Sequence, residues 1–429
     1  MSKPVLGFAG MTHLGLVSAA CAAEKKFRTV CFDPAPSRTA ALARRELGIS
    51  EPQLDDLVSK NAPRLTFTSK PADLAACDVI YVAPDVPTDD QGKGDLGPIN
   101  TLLDIVVGSA RTDAVIVVLS QVPPGFTRGR QHPGRTLIYQ VETLIFGRAV
   151  ERALHPERYI VGCADPAQPL PENYAAFLAA HGCPVLPMRY ESAELAKISI
   201  NMCLVASVTT ANTLAELCEK IGADWSEIVP ALKLDKRIGE HAYLAPGLGI
   251  AGGNLERDLA TVCSFADRYG TDANVVRAWI VNSRHCRDWA ARTIRSVLLD
   301  SNAGATVAVW GLAYKENTNS VKNSPSLATI ANLPDTRLRL HDPLVPSSVV
   351  SHRNAEGAPD ALAAASGADA LMILTPWPHY RIIPPSQIAR ALRGRIVLDP
   401  YAVLDHTAAA AAGLDIFTLG KPPLLAEHH

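Results

Sequence analysis

A short apolar run, VLGFA at residues 5–9, is followed at once by Gly10, Thr12 and Gly15, then by apolar positions at helical spacing through residue 23. A second run, TVCF at 29–32, ends at Asp33. This order confines the start of the chain to a strand, a tight glycine turn, a helix and a second strand parallel to the first. Apolar runs at 78–83 and 114–119, each followed by turn residues, extend the pattern. Continuous Val/Ile strands separated by helices make a parallel sheet covered on both faces, a doubly wound α/β domain.

From residue 190 the character changes. Residues 191–221 carry a helical pattern with no Pro or Gly until Gly222. Further helices are predicted over 255–269 and 274–299, the first directly after a glycine-rich loop, PGLGIAGGN. The last third returns to strands, at 306–310, 337–341, 370–375 and 395–398, and the Ala-rich stretch 408–412 reads as a helix. The layout is α/β, all-α, α/β, with predicted domains 1–190, 191–300 and 301–429. A length of 429 residues suits several cores rather than one, and 48% hydrophobic residues exclude disorder as the dominant state.

With Lys+Arg 41 against Asp+Glu 43, nothing points to a nucleic-acid or anionic-membrane partner. The nine cysteines are scattered without a CxxC pair, which argues against a zinc site or redox motif, and no metal is predicted. The N-terminus lacks the apolar stretch of a signal peptide, and no apolar run reaches the ~18 residues of a membrane span. A cytoplasmic protein with reduced thiols is expected. His428 and His429 read as a purification-tag remnant.

The turn at Gly10 has the position of the GxGxxG dinucleotide fingerprint. There the first glycine makes the turn, the second admits the diphosphate close to the backbone, and the third lets helix and strand pack. The second position here is Thr12, whose side chain crowds the diphosphate. The register Gly7-x-x-Gly10 is worse, because Gly7 lies inside the strand. Asp33 follows Gly15 by eighteen residues, close to the spacing of the acid that binds a ribose 2′-OH and selects NAD over NADP.

Over nearly its whole length the chain resembles the UDP-glucose/GDP-mannose dehydrogenase family, with the motifs in the same order. Beyond the Gly10–Gly15 loop, Glu51, Pro52 and Leu54 are similar to its EPxL helix start, and APDVPTDDQGKGDL at 83–96 to the loop after its fourth strand. SQVPPG at 120–125 resembles STVPVG, 142–158 resembles EFLREG…HPxR, and AELAKISIN at 193–201 matches AExxKxxxN. Residues 246–258 resemble its glycine loop, GLAYKENTNSVKNSP at 311–325 resembles GLAFKPxTDDxRxSP, and His341-Asp342-Pro343 resembles YDP. The resemblance implies two Rossmann-like doubly wound domains joined by a central all-α domain with a long helix, and a homodimer formed through that middle. The implied reaction oxidises a nucleotide-sugar 6-hydroxyl to a carboxylate with two NAD molecules, through a cysteine thiohemiacetal and thioester.

The departures cluster on the second half of that chemistry. The family's GxGGxCxxxD reads GIAGGNLERD here, so the nucleophilic cysteine position is Asn254. An amide nitrogen is delocalised and has none of the charge or polarizability that make a thiolate nucleophilic. Gln121 replaces the threonine of STVP, Phe146 replaces a glutamate, and Asn319 and Ser320 replace the aspartates of TDD. The segment between SQVPPG and Glu142 is short and is predicted to lack a helix of the family. Cys263, the nearest cysteine, is expected to be a buried small hydrophobe.

What remains is a set for hydride chemistry. Lys197 and Asn201 are four apart on one helix face. In the wider β-hydroxyacid-dehydrogenase group, KxxxN uses the lysine on the reacting hydroxyl and the asparagine to position it. Asn254 is expected to orient a substrate oxygen. Glu142 either holds a water or sugar hydroxyl or is a surface carboxylate. Asp258 either bonds Lys197 or a water or is a charge at a helix start. The resemblance places Arg257 and Lys322 near the cofactor, and Lys315, Gly249 and Gly252 at the nucleotide sugar. The leading expectation is an NAD-dependent oxidoreductase of polysaccharide or glycoconjugate biosynthesis that stops at the carbonyl. The alternatives are a four-electron dehydrogenase using a cysteine-independent route, and a catalytically silent nucleotide-sugar-binding protein.

Overall fold

The computed structural model describes residues 3–87, 89 and 94–426. Residues 88 and 90–93 of the loop at 83–96, and His428 and His429 at the end, lie outside the described residues. The chain divides into two compact units, Met1–Ile200 and Asn201–His429.

The first unit is built on eight strands: β1 (Leu6–Ala9), β2 (Thr29–Phe32), β3 (Leu65–Thr68), β4 (Val79–Val82), β5 (Val115–Val118), β6 (Thr136–Gln140), β7 (Tyr159–Cys163) and β8 (Val185–Arg189). Their spatial order is β3-β2-β1-β4-β5-β6-β7-β8. Every residue of β1, β4 and β5 is buried, because helices cover both faces. Alternate side chains feed two cores. Phe8 stacks on Tyr81 at 4.8 Å on one face, and Ile80, Val82 and Ile116 pack on the other. The order reverses between β1 and β4, and such a switch point opens a crevice at the strands' carboxyl ends. Helix α1 (His13–Glu24) starts in that crevice and buries nine residues, mostly Ala, Leu and Val.

The sheet is not wholly parallel. β7 runs antiparallel to β6, and β8 pairs parallel with β7. β8 takes the edge, where Pro187 removes no needed ladder donor. A single helical turn, Phe126–Gly129, stands in the segment expected to lack a helix.

The second unit carries β9 (Thr306–Trp310), β10 (Arg337–His341), β11 (Ala355–Gly357), β12 (Ala370–Ile373), β13 (Ile396–Leu398) and β14 (Asp415–Phe417). They form a parallel sheet ordered β11-β10-β9-β12-β13-β14, with its switch point between β9 and β12. Trp310 is fully buried at its centre and donates its indole N–H to the Ala361 carbonyl at 2.8 Å.

Helix α2 (Tyr190–Ile221) contains the boundary between the units. It is the one helix among the described residues long and apolar enough to cross a membrane by length and composition, with a mean hydropathy of 1.3, where the sequence had suggested none. Two of its carboxylates are nevertheless built into the protein. Glu194 is fully buried, and Glu219 accepts from Trp289 Nε1 and the Gly420 N–H, both at 3.1 Å. Helices α3 (Asn254–Tyr269) and α4 (Asn274–Arg287) follow. The helix expected to run through residue 299 breaks at Asp288, and Trp289, Ala290 and Ala291 turn into the core beneath β9.

Candidate active site

The turn after β1 has the shape a dinucleotide requires. Gly10 sits at φ +95°, and a Cβ there would lie 2.9 Å from the Pro84 nitrogen. A Cβ on Gly15 would lie 1.8 Å from the Gly10 carbonyl oxygen, so only glycine lets α1 approach the strand. Thr12 is the residue before α1, and its hydroxyl accepts the Asp85 N–H at 2.8 Å. Asp85 in turn accepts the His13 N–H at 3.0 Å. The His13 ring bonds Glu51 at 2.9 Å and lies 4.2 Å from the Phe146 ring. Glu51 is buried and also accepts the N–H groups of Gly147 and Ala149, at 3.0 and 2.8 Å. The Glu51 of the EPxL-like motif thus ties the segment after Glu142 to the start of α1.

Asp33, at the end of β2, accepts the Met11 N–H at 2.9 Å through one oxygen and the Ala35 N–H at 3.0 Å through the other. A carboxylate offers about four acceptor directions, so two remain for a ribose diol. Nearby Arg38 spends its guanidinium on the carbonyls of Met11 and Leu47. Glycine cradle, helix start and carboxylate together fit NAD.

The second unit repeats this clamp after β9 and β10. Gly311 has φ +96°, and Asp342 accepts the N–H groups of Leu312 and Ala313 at 2.7 and 3.1 Å. Asp342 also accepts from Leu344 and Val345, both at 2.9 Å, and from Trp377 Nε1 at 3.0 Å. With five donors on two oxygens it is saturated, and unlike Asp33 it has no capacity left to read a ribose.

The expected catalytic residues fall into two groups, one in each unit. In the first, Lys197 Nζ lies 3.5 Å from Glu142 Oε2, with side chains 13% and 16% exposed. This is a half-sheltered ion pair, so Glu142 is no free surface carboxylate. Glu194 of the same helix motif holds the Gly125 and Thr127 N–H groups at 2.6 and 2.8 Å, fixing the loop of SQVPPG. Burial pushes its carboxyl up, against the pull of those bonds.

In the second unit, Asn201 donates its amide to Asp258 at 2.5 Å, and Asp258 is 1% exposed. Arg257, also buried, has Nε 3.6 Å from the other Asp258 oxygen. Asn254 is exposed on the first turn of α3, one turn before Asp258 and on the same face. The loop before it is shaped by its glycines. A Cβ on Gly249 (φ +73°) would lie 2.3 Å from the Ser283 carbonyl oxygen, and one on Gly252 (φ +83°) would meet the Tyr314 ring at 3.2 Å. Asn323 donates to the Gly252 carbonyl at 2.9 Å, joining this loop to the 311–325 motif. Lys315 is half-buried with Nζ 5.7 Å from the Tyr314 ring centroid.

Lys322 belongs to a charged group that the sequence did not flag. It faces Glu256, whose carboxyl burial pushes up to about 7 against the opposing pull of Lys322, Arg287 and Arg284. Glu256 Oε2 is buried and makes no hydrogen bond. Two residues from Asn254 on a helix, Glu256 points away from it.

Cys263 is buried among Val205, Leu259 and Ala266. It lies about two and a half helical turns from Asn254, on the opposite face. Burial raises the Cys286 thiol to about 11. Among the described residues, no group of His, Cys, Asp and Glu is arranged to hold a metal.

Comparison with known proteins agrees along the whole chain. Residues 5–177 match the NAD binding domain of the UDP-glucose/GDP-mannose dehydrogenase family, 191–284 its central domain and 308–406 its UDP binding domain. UDP-glucose 6-dehydrogenase TuaD of Bacillus subtilis is 30% identical, covering 96% of this chain and 92% of its own. The UDP-glucose 6-dehydrogenase of Pseudomonas aeruginosa is 29% identical, with 96% of both chains covered. A UDP-glucose dehydrogenase structure from Pyrobaculum islandicum superposes with a TM-score of 0.82 at 26% identity, over 94% of this chain and 95% of that one. The chain belongs to the UDP-glucose/GDP-mannose dehydrogenase family, NAD-dependent oxidoreductases acting on the CH–OH group of a nucleotide-linked sugar.

Proposed function

We propose that this member removes two electrons from its sugar and releases a carbonyl product. The observation that carries the proposal is Asn254, which stands on the first turn of α3 where the motif places the family's thiol. Cys263, the cysteine nearest to it in sequence, is buried on the opposite helix face. NAD, which the Gly10–Gly15 turn and Asp33 would hold, would supply the hydride acceptor when bound. Lys197 holds the reacting hydroxyl, and its proton passes by way of the lysine to Glu142, the carboxylate at 3.5 Å. Asp258 fixes the amide of Asn201, which then points its remaining acceptor at the substrate. Asn254 orients the sugar oxygen through its amide.

The UDP binding domain matched at 308–406 and the names of the relatives favour a UDP-hexose as substrate, with Gly249, Gly252 and Lys315 against it and Arg257 and Lys322 toward the cofactor. The division 1–190, 191–300 and 301–429, a homodimer and a cytoplasmic location complete the proposal. NADH formed per sugar consumed tests it: one supports the carbonyl product, two means acid formation by another nucleophile, and none means a silent binding protein.

A further inference from the structure

We propose that Thr12 and Asp85 form a clip that competes with the dinucleotide's diphosphate for the start of α1, so that cofactor affinity is set by how readily the clip opens. The inference rests on the dinucleotide reading of this loop. Two hydrogen bonds make the clip. The Asp85 N–H donates to Thr12 Oγ1 at 2.8 Å, and the His13 N–H donates to Asp85 Oδ2 at 3.0 Å. Thr12 stands at the fingerprint's second glycine, and a glycine there would leave the Asp85 N–H without this acceptor. The departure from the motif and the carboxylate at the helix start are therefore one device.

The competition follows from what the helix start offers. The first N–H groups of α1 have no partner inside the helix, and they carry the positive end of its dipole. A diphosphate and a carboxylate seek the same donors. Asp85 holds the first of them, on a twelve-residue helix whose glycine cradle is otherwise intact. The clip cannot slide aside as a rigid piece, because Pro84 lies against Gly10, with its nitrogen 2.9 Å from where a Gly10 Cβ would be. Its carboxylate is exposed, so rotation into water costs little desolvation. His13 is held separately by Glu51 and stays in place as Asp85 turns away. The clip is thus a reversible competitor, and the negative charge it keeps near the seat weakens anion binding further.

Calorimetric titration of the full chain with NAD, ADP and adenosine tests this. Asp85→Asn keeps the size and removes the charge, and Thr12→Val keeps the shape and removes the acceptor. Both should tighten NAD and ADP, Asp85→Asn by roughly tenfold, and the gain should shrink at high salt. Adenosine, which lacks the diphosphate, should bind all three proteins alike. Unchanged or weaker NAD binding in both variants, with the wild type still binding NAD, overturns the clip and leaves the cofactor site standing. If NAD binds none of the proteins, or Asp33→Asn has no effect on it, the cofactor reading of the loop falls and the clip falls with it.

Discussion

At the scale of single residues, two side chains of the proposed site are held by carboxylates. Lys197 pairs with Glu142 and Asn201 with Asp258, while Asn254 stands where the motif resemblance expects a thiol. Lys197→Met should abolish the first hydride transfer, read as NADH absorbance in a single turnover. Asn254→Ala should slow it by roughly tenfold or more, the scale of a lost positioning bond. If both variants turn over like the wild type, hydride transfer happens elsewhere. Asn254→Cys should not restore acid formation, because Gln121 and Phe146 also stand in place of polar groups. Gly15→Ala is a sharper structural test. Its methyl would lie 1.8 Å from the Gly10 carbonyl oxygen, so α1 must shift. Overpacking of this kind costs about 1–3 kcal/mol, and both melting temperature and NAD affinity should fall.

At the scale of elements, α3 follows the glycine-rich loop at 246–253, and Glu256 gives it a pH signature. Its carboxyl is raised from 4.5 to about 7, first by burial. The native state therefore holds this proton more tightly than the unfolded chain, and the associated stability is full below pH 4.5 and lost as pH rises through 7. Glu256→Gln should flatten that decline in melts taken from pH 5 to 8, and an unchanged slope would place the titration elsewhere. The sequence announced the α3 helix and its loop through glycine spacing, yet it gave no sign of Glu256, whose neighbours Arg284, Arg287 and Lys322 are distant in the chain. The same limit explains the strands. For β2, β9 and β10 the expected and observed bounds coincide, because turn residues flank them. β3 and β8 carry no such signal, since LTFT and VLPMR are half-polar edge strands with no clean period. The antiparallel β7 depends on pairing partners, which local pattern does not encode. Asp33 was legible from spacing, whereas Asp85 required the fold to bring two loops together.

At the scale of the whole molecule, α2 ends on an exposed apolar face. Leu214, Leu217 and Ile221 form a stripe at helical spacing, 39%, 50% and 66% exposed. Apolar stripes of this sort are usually covered, and a two-fold partner is the commonest cover. Light scattering at micromolar concentration should give a dimer, and Leu217→Arg should shift it toward monomer. A wild-type monomer would remove the homodimer from the proposal. The two sheets meanwhile share one device, a glycine turn clamped by an aspartate of the neighbouring strand: Gly10 with Asp33, Gly311 with Asp342. Because the clamps are internal hydrogen bonds, they restrain each loop whether or not a ligand is bound. Little backbone freedom is then left to lose on association, and most of the ordering penalty falls on the ligand. Loosening Asp342 would therefore reach the ligand as an entropic loss, with no contact to it removed.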